Sequence, residues 1–321
     1  MSENTKNFRS LAEYAEKDYE TDLKCLNEGL DRKSKIAAID AQTCLQNGLY
    51  VLGAESGLGK TTFATNIALN LALSGEKVLY FSFEQSECDF LKKILSILKE
   101  KMSSNENYAL NDNILLDVNH SAISNFFLVP ANFGLTVEDV EAKIDDFMSS
   151  FKGEKPVVFI DYLQVISRND HKSAKDGIDE VLSSLKQYQA RNHLCMFLIS
   201  SLNRGNYACR VAFESFKETG AIEYTADVVW GLQLTLLNDS KFQTADKSEK
   251  RKLCEKAMAE NIRKVELVCL KNRFGMATYD CKLEFLPDKC LFRSAGLLDP
   301  VLSANEKNQP EPEEDMVMKL Y

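Results

Sequence analysis

The hydrophobic pattern changes period repeatedly along the chain, and each change marks an element. Short apolar runs of the kind a buried strand produces fall at 49–52, 78–83, 126–129, 157–160, 195–200 and 228–234. Between them, apolar residues recur every three or four positions over 61–73, 86–101, 136–151 and 174–192, which predicts helices. Two later runs, 265–271 and 278–285, alternate apolar and polar positions as antiparallel strands do, with a short strand at 291–293. The predicted fold class is therefore α/β: a mainly parallel sheet covered by helices on both faces, followed by C-terminal antiparallel strands. A charged segment, 246–262, reads as a solvated helix inserted beside a strand. Residues 8–31 space Leu11, Tyr14, Ala15, Tyr19, Leu23 and Leu26 at intervals that predict one or two amphipathic helices outside the nucleotide core. Two roles remain open for them: capping their own domain, or docking on a neighbouring subunit.

The turn after the first strand carries the chemistry. Residues 53–62 read Gly-Ala-Glu-Ser-Gly-Leu-Gly-Lys-Thr-Thr, between a predicted strand and a predicted helix. In that context a glycine-rich turn aims backbone N–H groups and a helix N-terminus at a polyphosphate. Gly53, Ser56, Gly57, Leu58, Gly59, Lys60, Thr61 and Thr62 form the expected cradle for ATP. Lys60 is expected to reach the β- and γ-phosphates and the Thr61 hydroxyl to hold Mg²⁺. The strict pattern has glycine at position 54; here Ala54 stands there and Gly53 comes one place early.

About one hundred residues further on, the apolar strand Val157-Val158-Phe159-Ile160 ends in Asp161, the acid a phosphate-loop ATPase needs near Mg²⁺. The second strand ends in Glu84. If that strand adjoins the first, Glu84 faces the γ-phosphate and can orient and deprotonate water. The alternative is a helix-capping acid, since Ser86 and Glu87 follow.

Composition narrows the setting. The chain has 321 residues, 45% hydrophobic and 27% charged, enough for one large α/β domain or two modest ones. A net charge of −9 lacks the overall basic signature of a nucleic-acid binder, so any DNA contact comes from a local basic site, concentrated by assembly into a ring. From Asp299 onward six acidic residues face Lys307 and Lys319, and with Pro310 and Pro312 this tail reads as disordered. Nine cysteines without a C-x-x-C pair and three histidines give no zinc spacing, and an odd thiol count argues against a disulfide framework. With no apolar leader and no membrane-length run, a cytoplasmic protein with free thiols is expected.

The motifs together resemble the C-terminal motor domain of DnaB-type replicative helicases, which belong to the RecA-like ATPases. The matching strings are 53–63, Phe81-Ser82-Phe83-Glu84, Ile160-Asp161-Tyr162-Leu163-Gln164, Ile199-Ser200-Ser201-Leu202-Asn203-Arg204, 217–223 with Ala226-Asp227, and Lys271-Asn272-Arg273-Phe274-Gly275. They occur in the family's order over roughly residues 47–294, and the family often tolerates alanine at the position of Ala54. The resemblance implies ATP and Mg²⁺ as cofactors, with Asp161 positioning Mg²⁺ and Glu84 activating water. It implies that Lys271 and Arg273 reach the neighbouring subunit's ATP site, where such a cationic finger stabilises charge on the transferring phosphoryl group. It places Lys217, Glu218 and Gly220 on a loop that grips single-stranded DNA. Arg204, Tyr207 and Arg210 lead into that loop as candidate further contacts. A homo-oligomeric ring, a hexamer in this family, is implied, with separate primase or loader proteins as candidate partners.

Ser201 stands where the family usually has the glutamine that senses the γ-phosphate. The segment before the loop is too short for the family's separate N-terminal collar domain. The expected organisation is a helical linker or docking segment at 1–46, the motor at 47–296 and the acidic tail at 297–321. Two rival functions keep the fold: a RecA-like recombination or regulatory ATPase, and a nucleotide-switched DNA-binding or scaffold protein with little turnover.

Overall fold

All nine strands anticipated from the sequence pair into one sheet. The structure, a computed structural model, describes residues 10–17, 19–27, 29–103, 123–130, 134–166, 174–203, 208–216 and 220–300. The strands are β1 (Gly48–Ala54), β2 (Val78–Ser82), β3 (Phe126–Pro130), β4 (Val157–Asp161), β5 (Cys195–Ser201), β6 (Val228–Leu234), β7 (Arg263–Asn272), β8 (Tyr279–Leu286) and β9 (Leu291–Ser294). Their order is β3-β2-β4-β5-β1-β6-β7-β8-β9. The first six are parallel, and β7, β8 and β9 extend the sheet in antiparallel fashion beyond β6.

The order corrects one expectation. β2 does not adjoin β1: it pairs with β3 and β4, and β4 and β5 lie between it and β1. The adjacency that would by itself set Glu84 opposite the γ-phosphate is therefore absent.

Alternation along each strand divides the core into two layers. Tyr50 and Leu52 face one side, with α3 (Ala37–Asp40), α4 (Lys60–Leu73) and α5 (Glu87–Ser103). Leu49 and Val51 face the other, with α6 (Val137–Ser150), α7 (Ala174–Asn192) and α8 (Ala221–Thr225). The central parallel strands are apolar on both faces because both are covered. On the first face the register sets Tyr80, Phe159, Phe197 and Tyr50 side by side on four adjacent strands, with neighbouring centroids 5.5, 4.6 and 4.5 Å apart. Stacked pairs of this kind contribute about 0.5–1.5 kcal/mol each beyond area burial. Trp230 continues the row as core, its indole N–H donating to the Tyr279 hydroxyl at 3.0 Å.

α4 is buried over most of its surface, consistent with a helix that is apolar nearly all round. Two buried asparagines lock it in place. Asn66 donates to the Cys290 carbonyl at 2.9 Å, and Asn70 donates to the Ser34 carbonyl at 2.8 Å. The second bond shows that the packed body begins well before residue 47. Ile36, Ile39 and Leu45 are fully buried in the same cluster as α4, so the chain packs into this core ahead of residue 46. At the other end, Asp299 accepts from the Ala37 backbone N–H at 2.8 Å and from Ser294; residues 301–321 of the expected tail lie outside the described residues.

At the N-terminus, 8–31 resolves into α1 (Leu11–Lys17) and α2 (Tyr19–Asn27). Between β6 and β7 the inserted segment forms α9 (Ser240–Thr244) and α10 (Lys247–Met258), the latter with no fully buried residue. Cys44, Cys88, Cys195, Cys209, Cys254, Cys269, Cys281 and Cys290 are free thiols. No described helix is long and apolar enough to cross a membrane.

Candidate nucleotide site

The phosphate loop runs from the C-terminal end of β1 into α4, where a parallel sheet presents its ligand-binding edge. Gly57 and Gly59 have φ of +82° and +92°, left-handed values that side chains with a Cβ rarely adopt. Gly59 sits directly before the first turn of α4. Gly53 is needed for a different reason. A Cβ there would meet Phe216 at 2.5 Å and Leu202 at 2.7 Å, because those side chains, on residues whose backbones pair in an isolated bridge, lie closely over β1. The early glycine is thus a packing requirement of the strand, and Ala54, fully buried, follows it without strain.

Strand register brings the chemical groups to the same edge. Asp161 lies beside Ser82 on β2 and Ile199 on β5, while Ala54 lies beside Ser201. Asp161 is buried and accepts from the Tyr80 hydroxyl at 3.0 Å and from the Thr61 hydroxyl. Burial raises its pKa, opposed by those two hydrogen bonds and by Lys93 and Lys60. Lys60 is displaced the other way: burial lowers its pKa, against the attraction of Asp161 and Glu84. Burial costs the ammonium its hydration, and a triphosphate's oxygens can replace it with charge-assisted hydrogen bonds.

Glu84 is exposed, feels Lys60 electrostatically and accepts from the Tyr162 hydroxyl. Its capping alternative does not hold. The Ser86 hydroxyl accepts from the Asp89 N–H at 3.2 Å and so caps the start of α5. The peptide bond between Asp161 and Tyr162 is cis. Ser201 closes β5 half-buried. Its neighbour Ser200 accepts from the Gln164 side-chain amide at 2.9 Å.

Among the described residues no group of three or more His, Cys, Asp or Glu could hold a metal. One carboxylate and one hydroxyl, Asp161 and Thr61, fit the sparse protein contribution typical of Mg²⁺ bound together with phosphate oxygens and water. Sequence reasoning missed Tyr80 and Lys93. Lys93 is desolvated, close enough to Asp161 to interact, and donates to Gln85 at 2.9 Å. Tyr80 had one available signal, a hydroxyl at the centre of a strand whose other polar residue, Ser82, stands at its end.

Lys271 and Arg273 lie at the opposite edge. The Arg273 backbone N–H bonds to the Asp227 carbonyl, and Asp227 N–H bonds to the Leu49 carbonyl. Arg273 therefore sits level with Leu49, five residues below Ala54, about 16 Å along the strand at roughly 3.3 Å per residue. There Asp227, buried, gathers Arg273 at 3.0 Å, Lys186 and the Leu49 N–H at 2.8 Å. The Lys271 ammonium donates to the Glu223 carbonyl at 2.6 Å, and burial, then Arg273, lowers its pKa.

Of the expected DNA contacts, Arg204, Lys217 and Glu218 lie outside the described residues, as does Tyr207. Gly220 is exposed at the start of α8, with open space where a Cβ would stand. Arg210, half-exposed, pairs with Asp280. Exposed pairs of this sort are worth only about 0–1 kcal/mol, so the contact leaves Arg210 free to exchange partners.

The chain is 27% identical over 193 residues to the replicative DNA helicase DnaB of Helicobacter pylori (strain J99), covering 57% of this chain and 39% of that protein. It is 26% identical over 194 residues to the replicative DNA helicase DnaC of Bacillus subtilis, covering 57% and 42%. The chain thus spans about two fifths of the length of these relatives. Among solved structures, one isolated ATPase domain superposes with a TM-score of 0.68 at 20% identity, covering 90% of this chain and all of that one. A DnaB-like replicative helicase, described with its interactions with primase, gives 0.65 at 20% identity, covering 91% and 68%. Both share this chain's fold, RecA-like in its phosphate-loop edge and strand arrangement. The family model described as the DnaB-like helicase C terminal domain matches residues 33–294, and the chain belongs to that family.

Proposed function

We propose that this chain is the motor of an ATP-dependent DNA helicase, hydrolysing ATP to move along single-stranded DNA. The observation that carries the reading is the convergence of Lys60, Thr61, Asp161 and Glu84 at one sheet edge, in a chain of the DnaB-like helicase family. Loop N–H groups and Lys60 hold the triphosphate. Asp161 and Thr61 hold Mg²⁺, which when bound neutralises phosphate charge. Glu84, exposed and oriented by Tyr162, takes the proton of the attacking water. Lys271 and Arg273, about 10 and 16 Å down the strands from their own loop, serve the site of the next subunit in a ring of six, where their charge stabilises the transferring phosphoryl group.

Single-stranded DNA threads such a ring past Arg204, Arg210, Lys217, Glu218 and Gly220, held by its backbone with little sequence preference. Separate primase or loader proteins are further proposed partners, in the cytoplasm. A relative in the solved structures is described with its interactions with primase, which supports the first of these.

The test is steady-state ATP hydrolysis with and without single-stranded DNA, with Lys60→Ala as control. Stimulation by DNA that the variant loses supports the motor. Hydrolysis indifferent to DNA favours a regulatory ATPase, and nucleotide binding without turnover favours a switch or scaffold.

A further inference from the structure

We propose that Arg263 is a positioning residue for the phosphate loop, holding it from outside in its ligand-ready shape. The inference rests on the reading of residues 53–62 as the ATP-binding loop. Arg263 opens β7 immediately after the charged insertion that carries α10, and nothing in its sequence context marks it. Its guanidinium Nη1 donates to the Gly57 carbonyl at 2.8 Å.

The register explains how it gets there. Arg263 is the cross-strand partner of Phe285, so the two side chains share a face of the sheet, and the guanidinium lies 5.5 Å from the Phe285 ring centre. Phe285 in turn stacks on Phe292, with centroids 4.3 Å apart and planes within 7°. The loop rests on this pair. A Cβ on Gly59 would come within 2.9 Å of Phe285 and 3.1 Å of Phe292, and one on Gly57 within 3.4 Å of the Met258 methyl. The C-terminal strands and the end of α10 therefore form a platform under the loop, with Arg263 as a polar tie to its backbone.

The tie matters because the loop contains two left-handed glycines, which give the peptide between them wide conformational freedom. Arg263 fixes the Gly57 carbonyl outward. The Leu58 N–H of the same peptide turns back to the Glu55 carbonyl at 3.2 Å. With that plane set, the following N–H groups enter the first turn of α4 already facing a phosphate. Preorganisation of this kind appears as ligand affinity, since the loop does not have to be ordered on binding. Arginine suits the position because a planar guanidinium can donate and lie over Phe285 together; lysine can donate only as a point charge.

The experiment uses the full chain and titrates a fluorescent ADP with Mg²⁺ against wild type, Arg263→Gln, Arg263→Lys and Lys60→Ala, with the melting midpoint of each nucleotide-free protein. Arg263→Gln is expected to raise Kd roughly tenfold, the scale of one charge-assisted hydrogen bond, with Arg263→Lys in between. Amide exchange at 57–60 in nucleotide-free Arg263→Gln is expected to speed up while the rest of α4 stays protected. Wild-type affinity in Arg263→Gln overturns the proposal. So does an equal loss in Arg263→Lys accompanied by a large fall in both melting midpoints, which marks a merely structural role. If Lys60→Ala binds nucleotide as wild type does, the reading of the loop itself fails and the inference falls with it. If Lys60→Ala loses binding and Arg263→Gln keeps it, the inference alone is wrong.

Discussion

Replacing Tyr80 with phenylalanine removes one oxygen from the nucleotide site and little else. The Tyr80 ring is fully buried and stacked on Phe159 at 5.5 Å and Phe126 at 5.9 Å, contacts that phenylalanine keeps. What disappears is the hydroxyl, which donates to Asp161 at 3.0 Å and is also hydrogen-bonded to Thr65. Burial holds the Tyr80 pKa well above its ordinary value, so the phenol is a neutral donor throughout any practical pH range. A hydrogen bond to a charged group contributes about 1.5–3 kcal/mol, a neutral one about 0.5–1.5 kcal/mol. Asp161 keeps its Thr61 contact, so the expected loss is about 2 kcal/mol while the carboxylate is ionised.

The pH dependence follows from the raised pKa of Asp161. A raised carboxyl takes up its proton more readily folded than unfolded. That contribution to stability is complete below the ordinary carboxylate value and is lost as pH rises through the raised one. The penalty of Tyr80→Phe is therefore largest above the raised pKa and shrinks to about 1 kcal/mol below it, where only a neutral bond is lost. Urea unfolding in EDTA, without nucleotide, reads this directly. With a slope of about 3 kcal/mol per M, the midpoint at pH 8 should fall by roughly 0.7 M. An unchanged midpoint at pH 8, or a difference that grows on acidification, refutes the argument.

Two further outcomes are expected. Gly59→Ala combines left-handed strain with contact against Phe285 and Phe292, costing about 2–4 kcal/mol and lowering the melting midpoint by roughly 5–10 °C in calorimetry. Lys60→Ala and Arg273→Ala should each abolish ATP hydrolysis, and mixing them one to one should restore about a quarter of wild-type turnover. That fraction is the share of interfaces pairing an intact loop with an intact finger in a head-to-tail ring. No recovery on mixing places both residues in one subunit's site.

Periodicity located the strands and long helices because buried parallel strands are continuous apolar runs, bounded here by glycine, serine and charged turns. It could not order them. β1 and β2 have equally apolar patterns, and no local signal says that β5 and β4 come between them. The packing of the stretch from Arg32 to Asn47 was hidden from the sequence for another reason. Ile36, Ile39 and Leu45 are too few and too irregularly spaced to show a period, yet each is fully buried beneath α4 and the C-terminal strands. Short helices such as α8 and α9 hold about one turn and carry no periodic signal at all.

The site divides along the same physical line. That the loop glycines, Lys60, Thr61 and Asp161 meet at one sheet edge was legible because it depends on local backbone and on position at a strand end. Tyr80, Lys93 and the Lys186–Asp227–Arg273 cluster were not, because each acquires meaning from a partner more than ten residues away. β7 contains both cases in one strand. It runs antiparallel to β1's neighbour, so it begins beneath the phosphate loop and ends roughly 30 Å away at the far edge, at about 3.3 Å per residue. At its end, Lys271 and Arg273 stand in a string that announces itself. At its start, Arg263 is one basic residue after a charged helix, and only the carbonyl it reaches distinguishes it from its solvated neighbours. The strand is paired on both sides, by β6 and β8, and this pairing fixes both ends relative to the sheet. A ring motor of the proposed kind needs both: a loop held in shape within one subunit, and a cation carried to the opposite edge for the next.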